Sequence, residues 1–405
     1  MFDSIILRKS FNGDIISIGE VAEAMFYYQK VQLIIDQGTL TNFIKKLGPK
    51  DTLRLLNRPE ISAVYCEEIL GVQTQTYGVT PYHSFIAAKI SGNQETGELK
   101  SLSERIAYTL RNVCSDQNEA NKFAESFIKK TPCRDYSSDH YIKGGITKSA
   151  LNDLNDQKLL RHLFEERLKQ IDNEFHLSSD SKIEIYKENN NIRFTIFTDF
   201  NLNEFNRKNI ENHNLDSPIT MANILTSLLD ANADLAIASH YGGDLMTTHI
   251  NSEILKRKFD RFLHRTEINK EKIDNFRECI LNNSPTITEV INTNERNIDE
   301  LFKMLDKAEK FKHWSRNINP EENIVHEYIE EIQKKGVESK MKTKTIRYII
   351  GKAISSIETT LKVAPAMSLS YEALDLLLLD KLLENWKPNH FITKTLTPFL
   401  SSNNK

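Results

Sequence analysis

A chain of 405 residues, 39% hydrophobic and 27% charged, is long enough to bury a sizeable core and too apolar for intrinsic disorder. A formal charge of -3 excludes a global basic footprint for nucleic acid or an anionic membrane, so any such contact must be local. Four separated cysteines with no CxxC pair exclude a secreted disulfide scaffold and fit a reducing cytosol.

In chain order, "DSIILR" reads as a strand, "GEVAEAMFYYQ" as a helix and "KVQLIID" as a strand whose continuous apolar run implies burial on both faces. No secretory signal precedes them, and no apolar run approaches the ~18 residues of a membrane span. "TLTNFIKKLG" and "DTLRLLNRP" read as short helices closed by Gly or Pro, and "ISAVYCEEIL" and "HSFIAAKI" as strands. Ser101 and Glu104 form a capping box and predict a helix through "RIAYTLRNV". The polar stretch "TPCRDYSSDHYIKGG" interrupts the periodicity and reads as a solvated linker, with Thr147 or Ser149 capping the helix after it.

"DQKLLRHLFEERLKQI" predicts another helix, and "KIEIYKENNNIRFTIFTDF" a hairpin over residues 182–200 around an Asn-rich turn. Ser217 and Pro218 mark the start of the next helix, which carries "ITMANILTSLLDANADLAIA". From about Asn251 the pattern is nearly all helical, with start signals at Ser284, Pro285 and Glu289 and again at Asn319, Pro320 and Glu322. The expected architecture is therefore α+β and helix-rich: two mixed α/β segments, 1–135 and 145–265, followed by an all-helical C-terminal region, 266–405.

"ASHYGGDLMTTHI" gathers His240, Asp244 and His249, an imidazole–carboxylate set able to do acid–base or metal-assisted chemistry if the rings converge. The competing interpretation is a helix C-terminus at Ser239 or His240, capped by glycine, with Asp244 bonding local amides. Cys133, Asp135, Asp139 and His140 are irregularly spaced for a zinc site, so no metal is assigned. "KGGITKSA" lacks the glycine before lysine that a phosphate loop needs, and "VHEYIEE", with His326 and Glu330, lacks the second histidine of a metalloprotease helix. Lys334, Lys335, Lys340, Lys342, Lys344 and Arg347 form a basic run able to contact phosphates non-specifically, and Leu376, Leu377, Leu378, Leu379 and Trp386 lie on a helix apolar on more than one side that suits a partner interface.

The segments "GEVAEAMFYYQKVQLIID" and "LDLLLLDKLLENWKPNHFI" resemble parts of uncharacterised bacterial proteins of similar length, some associated with antiviral defence. That resemblance implies a bacterial cytoplasm and carries over no functional residue. The resulting expectation is a non-enzymatic interaction, sensor or accessory protein with a protein partner or self-association, no cofactor and no membrane insertion. The alternatives are a metal-assisted hydrolase or nuclease using His240, Asp244 and His249, and nucleic-acid binding through the basic run.

Overall fold

The computed structural model describes residues 2–9, 15–94, 97–188, 192–258, 264–281, 284–316 and 388–401. The basic run from Lys334 to Arg347, the apolar set Leu376 to Leu379 with Trp386, and the helix start expected at Asn319 lie outside the described residues.

The first half of the chain alternates strand and helix: β1 (Phe2–Leu7), α1 (Ile18–Tyr27), β2 (Tyr28–Ile35), α2 (Gln37–Leu56), β3 (Ile61–Tyr65), β4 (Ile69–Tyr77) and β5 (Thr80–Ala88). A short pair, β6 (Gly92–Asn93) and β7 (Gly97–Glu98), precedes α3 (Leu102–Leu110), α4 (Gln117–Lys130), α5 (Gly145–Asp153) and α6 (Gln157–Lys169). Then come β8 (Ile183–Lys187), β9 (Phe194–Thr198), α7 (Leu202–Glu211), α8 (Met221–Tyr241), β10 (Asp244–Met246) and α9 (His249–Lys258). The described remainder is helical, with α10 (His264–Phe276), α11 (Ile287–Asn292), α12 (Ile298–Arg316), α13 (Pro388–Phe391) and α14 (Thr397–Leu400), and the protein is α+β and helix-rich.

Two four-stranded sheets form, in the orders β10-β1-β2-β3 and β4-β5-β9-β8. In the first, β1 runs parallel to β10 with Ile5 opposite Asp244, and β2 parallel to β3 with Val31 opposite Ile61. Parallel strands are covered on both faces, which is why β1 and β2 read as apolar runs rather than alternations. The second sheet is antiparallel: β8 and β9 form the hairpin, and a single register pair, His83 with Phe194, joins it to β5. Its inward positions Phe85, Ile183, Phe194 and Ile196 share one core with Ile6, Ile34 and Val64 of the first sheet and with the apolar residues of α6, α8 and α9.

The chain divides into two compact units: Ser4–Ser17 with Lys30–Thr266, and Met1–Asp3 with Ile18–Gln29 and Glu267–Lys405. The larger contains most of both sheets. In the smaller, Gly19 brings α1 against α11, because a Cβ there would lie 2.4 Å from the Thr288 carbonyl oxygen. Phe26 stacks on Phe311 and Phe391, with ring centroids 5.9 and 6.1 Å apart, and Lys312 donates to the Met25 carbonyl at 2.7 Å. No helix among the described residues is long and apolar enough to cross a membrane.

Helix starts show where local chemistry decides. The Ser101–Glu104 capping box is present, and a second joins Thr286 to Glu289, two residues beyond the expected Ser284. Helix α8 begins at Met221 rather than at Pro218, because Thr220 and Asn223 form a reciprocal cap and the Asn206 side chain bonds both the N–H and the carbonyl of Ile219. Neither Thr147 nor Ser149 caps α5: Gly144 is its N-cap, and Ser149 instead donates to Asn232 at 2.9 Å.

Candidate functional site

Polar residues follow directly on the strands of the first sheet: Arg8 after β1, Asp36 after β2, Cys66 to Glu68 after β3 and Thr247 after β10. The carboxyl ends of parallel strands are where open α/β sheets place their ligands, because loops diverge there. Here that end is largely closed by α8. Arg8 forks onto it, reaching Asp234 Oδ1 at 2.7 Å, Asp230 Oδ1 at 3.2 Å and the Asp230 carbonyl at 3.2 Å, while its Nε meets the Tyr136 hydroxyl at 3.4 Å. Asp234, fully buried, also accepts from Thr247 and from Asn251. A cavity of ≈ 20 Å³ remains among Arg8, Asp36, Cys66, Glu68, Tyr136 and Asp230, room for about one water.

Reactivity is suppressed in this cluster. Burial pushes the Cys66 thiol up to about 12, so its thiolate is disfavoured. Burial also raises Asp36 above the ordinary carboxylate range, although it caps α2 through the Thr39 amide at 2.7 Å. Glu68 accepts from the Ser137 amide at 2.8 Å and from its hydroxyl. Each of these groups has a partner within the fold.

The segment after α4 leads out to a different kind of surface. Residues 132–134 extend the first sheet beyond β3: Tyr65 donates to the Pro132 carbonyl at 3.0 Å and Arg134 donates to the Tyr65 carbonyl at 2.9 Å. The stretch expected to be a solvated linker is thus packed, with Tyr136 buried. Asp139 turns back on its own loop, accepting from the Gly144 amide at 2.7 Å, and leaves His140 exposed against the end of α8.

There the rings of His140 and His240 lie 4.7 Å apart. Tyr141 and Tyr241 brace them edge-on, each at 4.7 Å from its neighbouring histidine, and Tyr141 also meets His240 at 5.5 Å. Lys130, Arg134, His140, His240 and Tyr241 rim a cleft of ≈ 380 Å³ whose floor is Gln32 of β2 and Ile61 to Val64 of β3. No carboxylate is among its lining residues, and neither Lys130 nor Arg134 has an ion-pair partner among the described residues. Desolvation, then the Arg134 and His240 charges, hold His140 below the usual imidazole value. Such a site favours an anion, which would supply the negative charge the protein leaves out.

Next to it, Glu67, Cys133 and Asp135 bring donor atoms within 4.8 Å of one another, close enough for one cation. Two basic side chains already serve these acids. Arg105 forks onto Glu67, and Lys89 lies 2.7 Å from Asp135 and 3.9 Å from Glu67. Burial, then the Asp135 and Glu67 charges, push the Cys133 thiol up to about 11.

The "ASHYGGDLMTTHI" residues are dispersed over three elements. His240 is exposed on the last turn of α8, Asp244 is buried in β10 opposite Ile5, and His249 is exposed at the start of α9. Neither histidine makes a hydrogen bond, ion pair or ring contact to the other or to Asp244; His240 meets His140 instead. The glycines reverse the chain, with the Gly242 amide donating to the Ala238 carbonyl at 2.9 Å and φ at +69°.

No family model, curated protein or solved structure matches the chain.

Lys130, Arg134 and the His140–His240 meeting escape sequence reading, because the two histidines are a hundred positions apart and no spacing rule links them. The available signal was compositional: His140, Tyr141, His240 and Tyr241 form two His-Tyr dipeptides.

Proposed function

We propose that this protein is a non-enzymatic sensor or accessory protein that recognises a phosphate-bearing ligand in the His140–His240 cleft. The supporting observation is the set of Lys130, Arg134, His140 and His240 around ≈ 380 Å³ with no lining carboxylate, in a chain whose formal charge is -3. A local cationic pocket against a net acidic background selects anions by position rather than by bulk attraction. The thiols of Cys66 and Cys133, both held towards the protonated form, and the internally paired strand-end acids favour binding over chemistry. The dispersal of His240, Asp244 and His249 leaves the metal-assisted hydrolase without a common centre to build on.

A cytoplasmic location, a bacterial defence setting and a protein partner belong to the same proposal, supported by cysteine usage and by the resemblance of the two end segments. Titrating the full chain at low salt with inorganic phosphate and pyrophosphate tests the cleft. Saturable binding that weakens with salt and is abolished by Arg134→Glu supports it. Heats indistinguishable from dilution, or binding that Arg134→Glu leaves intact, sink it.

A further inference from the structure

We infer that the ligand of this cleft is a nucleotide whose base lies on the histidine rings while its phosphate meets Lys130 and Arg134, an inference that rests on the phosphate-binding function proposed above. A bare anion needs charge and hydrogen bonds, and Lys130 and Arg134 supply these alone. It makes no use of the aromatic rings that line the same cleft. His140 and His240 are exposed, and each is held edge-on by its own tyrosine, at interplanar angles of 77° and 80°. Tyr141 and Tyr241 in turn meet one another, ring centroids 6.1 Å apart at 62°, so the histidine rings are braced before any ligand arrives. Pre-set rings facing solvent are a stacking platform for a flat heteroaromatic group.

Size and floor agree. The cleft's ≈ 380 Å³ falls within the ~300–1,000 Å³ of small-molecule pockets and exceeds what a phosphate alone would fill. Gln32 and Ser62 place an amide and a hydroxyl on its floor, suited to the polar edge of a base or to a sugar hydroxyl. A phosphorylated peptide or lipid headgroup would satisfy the two cations and leave the rings unused. The shared chemistry, a base next to a phosphate, is offered both by a free nucleotide and by a single-stranded nucleic acid.

The test compares ribose 5-phosphate, adenosine 5′-monophosphate, uridine 5′-monophosphate and a six-residue single-stranded oligonucleotide by calorimetric titration of the full chain at pH 8. Both nucleotides are expected to bind at least about tenfold more tightly than ribose 5-phosphate. His140→Ala with His240→Ala should erase that difference and leave ribose 5-phosphate binding in place, while His140→Phe with His240→Phe should keep it. A tighter oligonucleotide identifies a strand as the source; equal affinity identifies the free nucleotide. Equal binding of ribose 5-phosphate and the nucleotides overturns the base platform and spares the phosphate site, whereas no binding of any phosphate overturns both.

Discussion

The Arg8 guanidinium lies 2.7 Å from the Asp234 carboxylate, two charges 226 positions apart in sequence and both almost wholly removed from water. Asp230, one helical turn earlier on α8, takes the other arm at 3.2 Å. This triad ties the end of β1 to a helix that would otherwise present two buried acids to an apolar core. Its value lies in completeness: removing one partner strands the other in low dielectric.

Arg8→Met should therefore cost about 3–5 kcal/mol in urea denaturation, because Asp230 and Asp234 lose their cation without regaining water. Arg8→Met combined with Asp230→Asn and Asp234→Asn should lose less than Arg8→Met alone. A triple variant as unstable as the single one would show that the arginine acts by packing and not by charge.

Much of the fold is legible because its determinants are local. The apolar runs of β1 and β2, the capping box at Ser101 and the alternation of Ile183, Ile185, Phe194 and Ile196 each act within a few residues. Where reading fails, a distant partner decides. Asn206 holds Ile219 extended and delays α8, and Asn232 takes the hydroxyl of Ser149 that looked like a cap. Asp230 and Asp234 sit on the buried side of α8, where periodicity predicts hydrophobes, because Arg8 pairs with both of them from the end of β1. The cleft is the extreme case, assembled from α4, the loop before α5 and the end of α8, with β2 and β3 beneath.

His83 sets a pH limit on the second sheet. It is buried, its Nδ1 is 3.0 Å from the Thr74 hydroxyl, and burial holds its imidazole below the ordinary value of 6.5. The folded state therefore binds fewer protons here than the unfolded chain, so stability contributed at neutral pH is lost as pH falls from about 6.5 through the depressed folded value. His83→Gln, which keeps a hydrogen-bonding group and cannot protonate, should flatten that part of a melting temperature against pH profile. An unchanged slope between pH 7 and 5 would place its origin elsewhere.

Gly242 and Gly243 are adjacent and unequal. Both have positive φ, +69° and +116°, but a Cβ on Gly242 meets open space while one on Gly243 would lie 2.4 Å from Ser4 Oγ and 2.8 Å from the Ser4 carbonyl oxygen. Backbone strain of about 1–3 kcal/mol applies to alanine at either position. At Gly243 the β1 backbone must also move, disturbing the pairing of Ile5 with Asp244. Thermal melts should rank Gly243→Ala well below Gly242→Ala, and equal melting temperatures would show that β1 yields freely at that point.

Arg296 closes the helical unit. Its Nε donates to the Phe399 carbonyl at 2.7 Å, and its Nη2 donates to the carbonyls of Pro398 at 2.9 Å and Ser401 at 2.7 Å. Carbonyls at a helix end have no intrahelical donors, so one planar fork satisfies three acceptors in α14 and the residue after it. Lysine carries the same charge as a single point and cannot span them. Arg296→Lys should lose about 1–3 kcal/mol of local stability, read as faster amide hydrogen exchange over residues 397–401 with α8 unaffected. Exchange unchanged in that segment would mean that Phe26, Phe311 and Phe391 hold the C-terminal helices in place without the arginine.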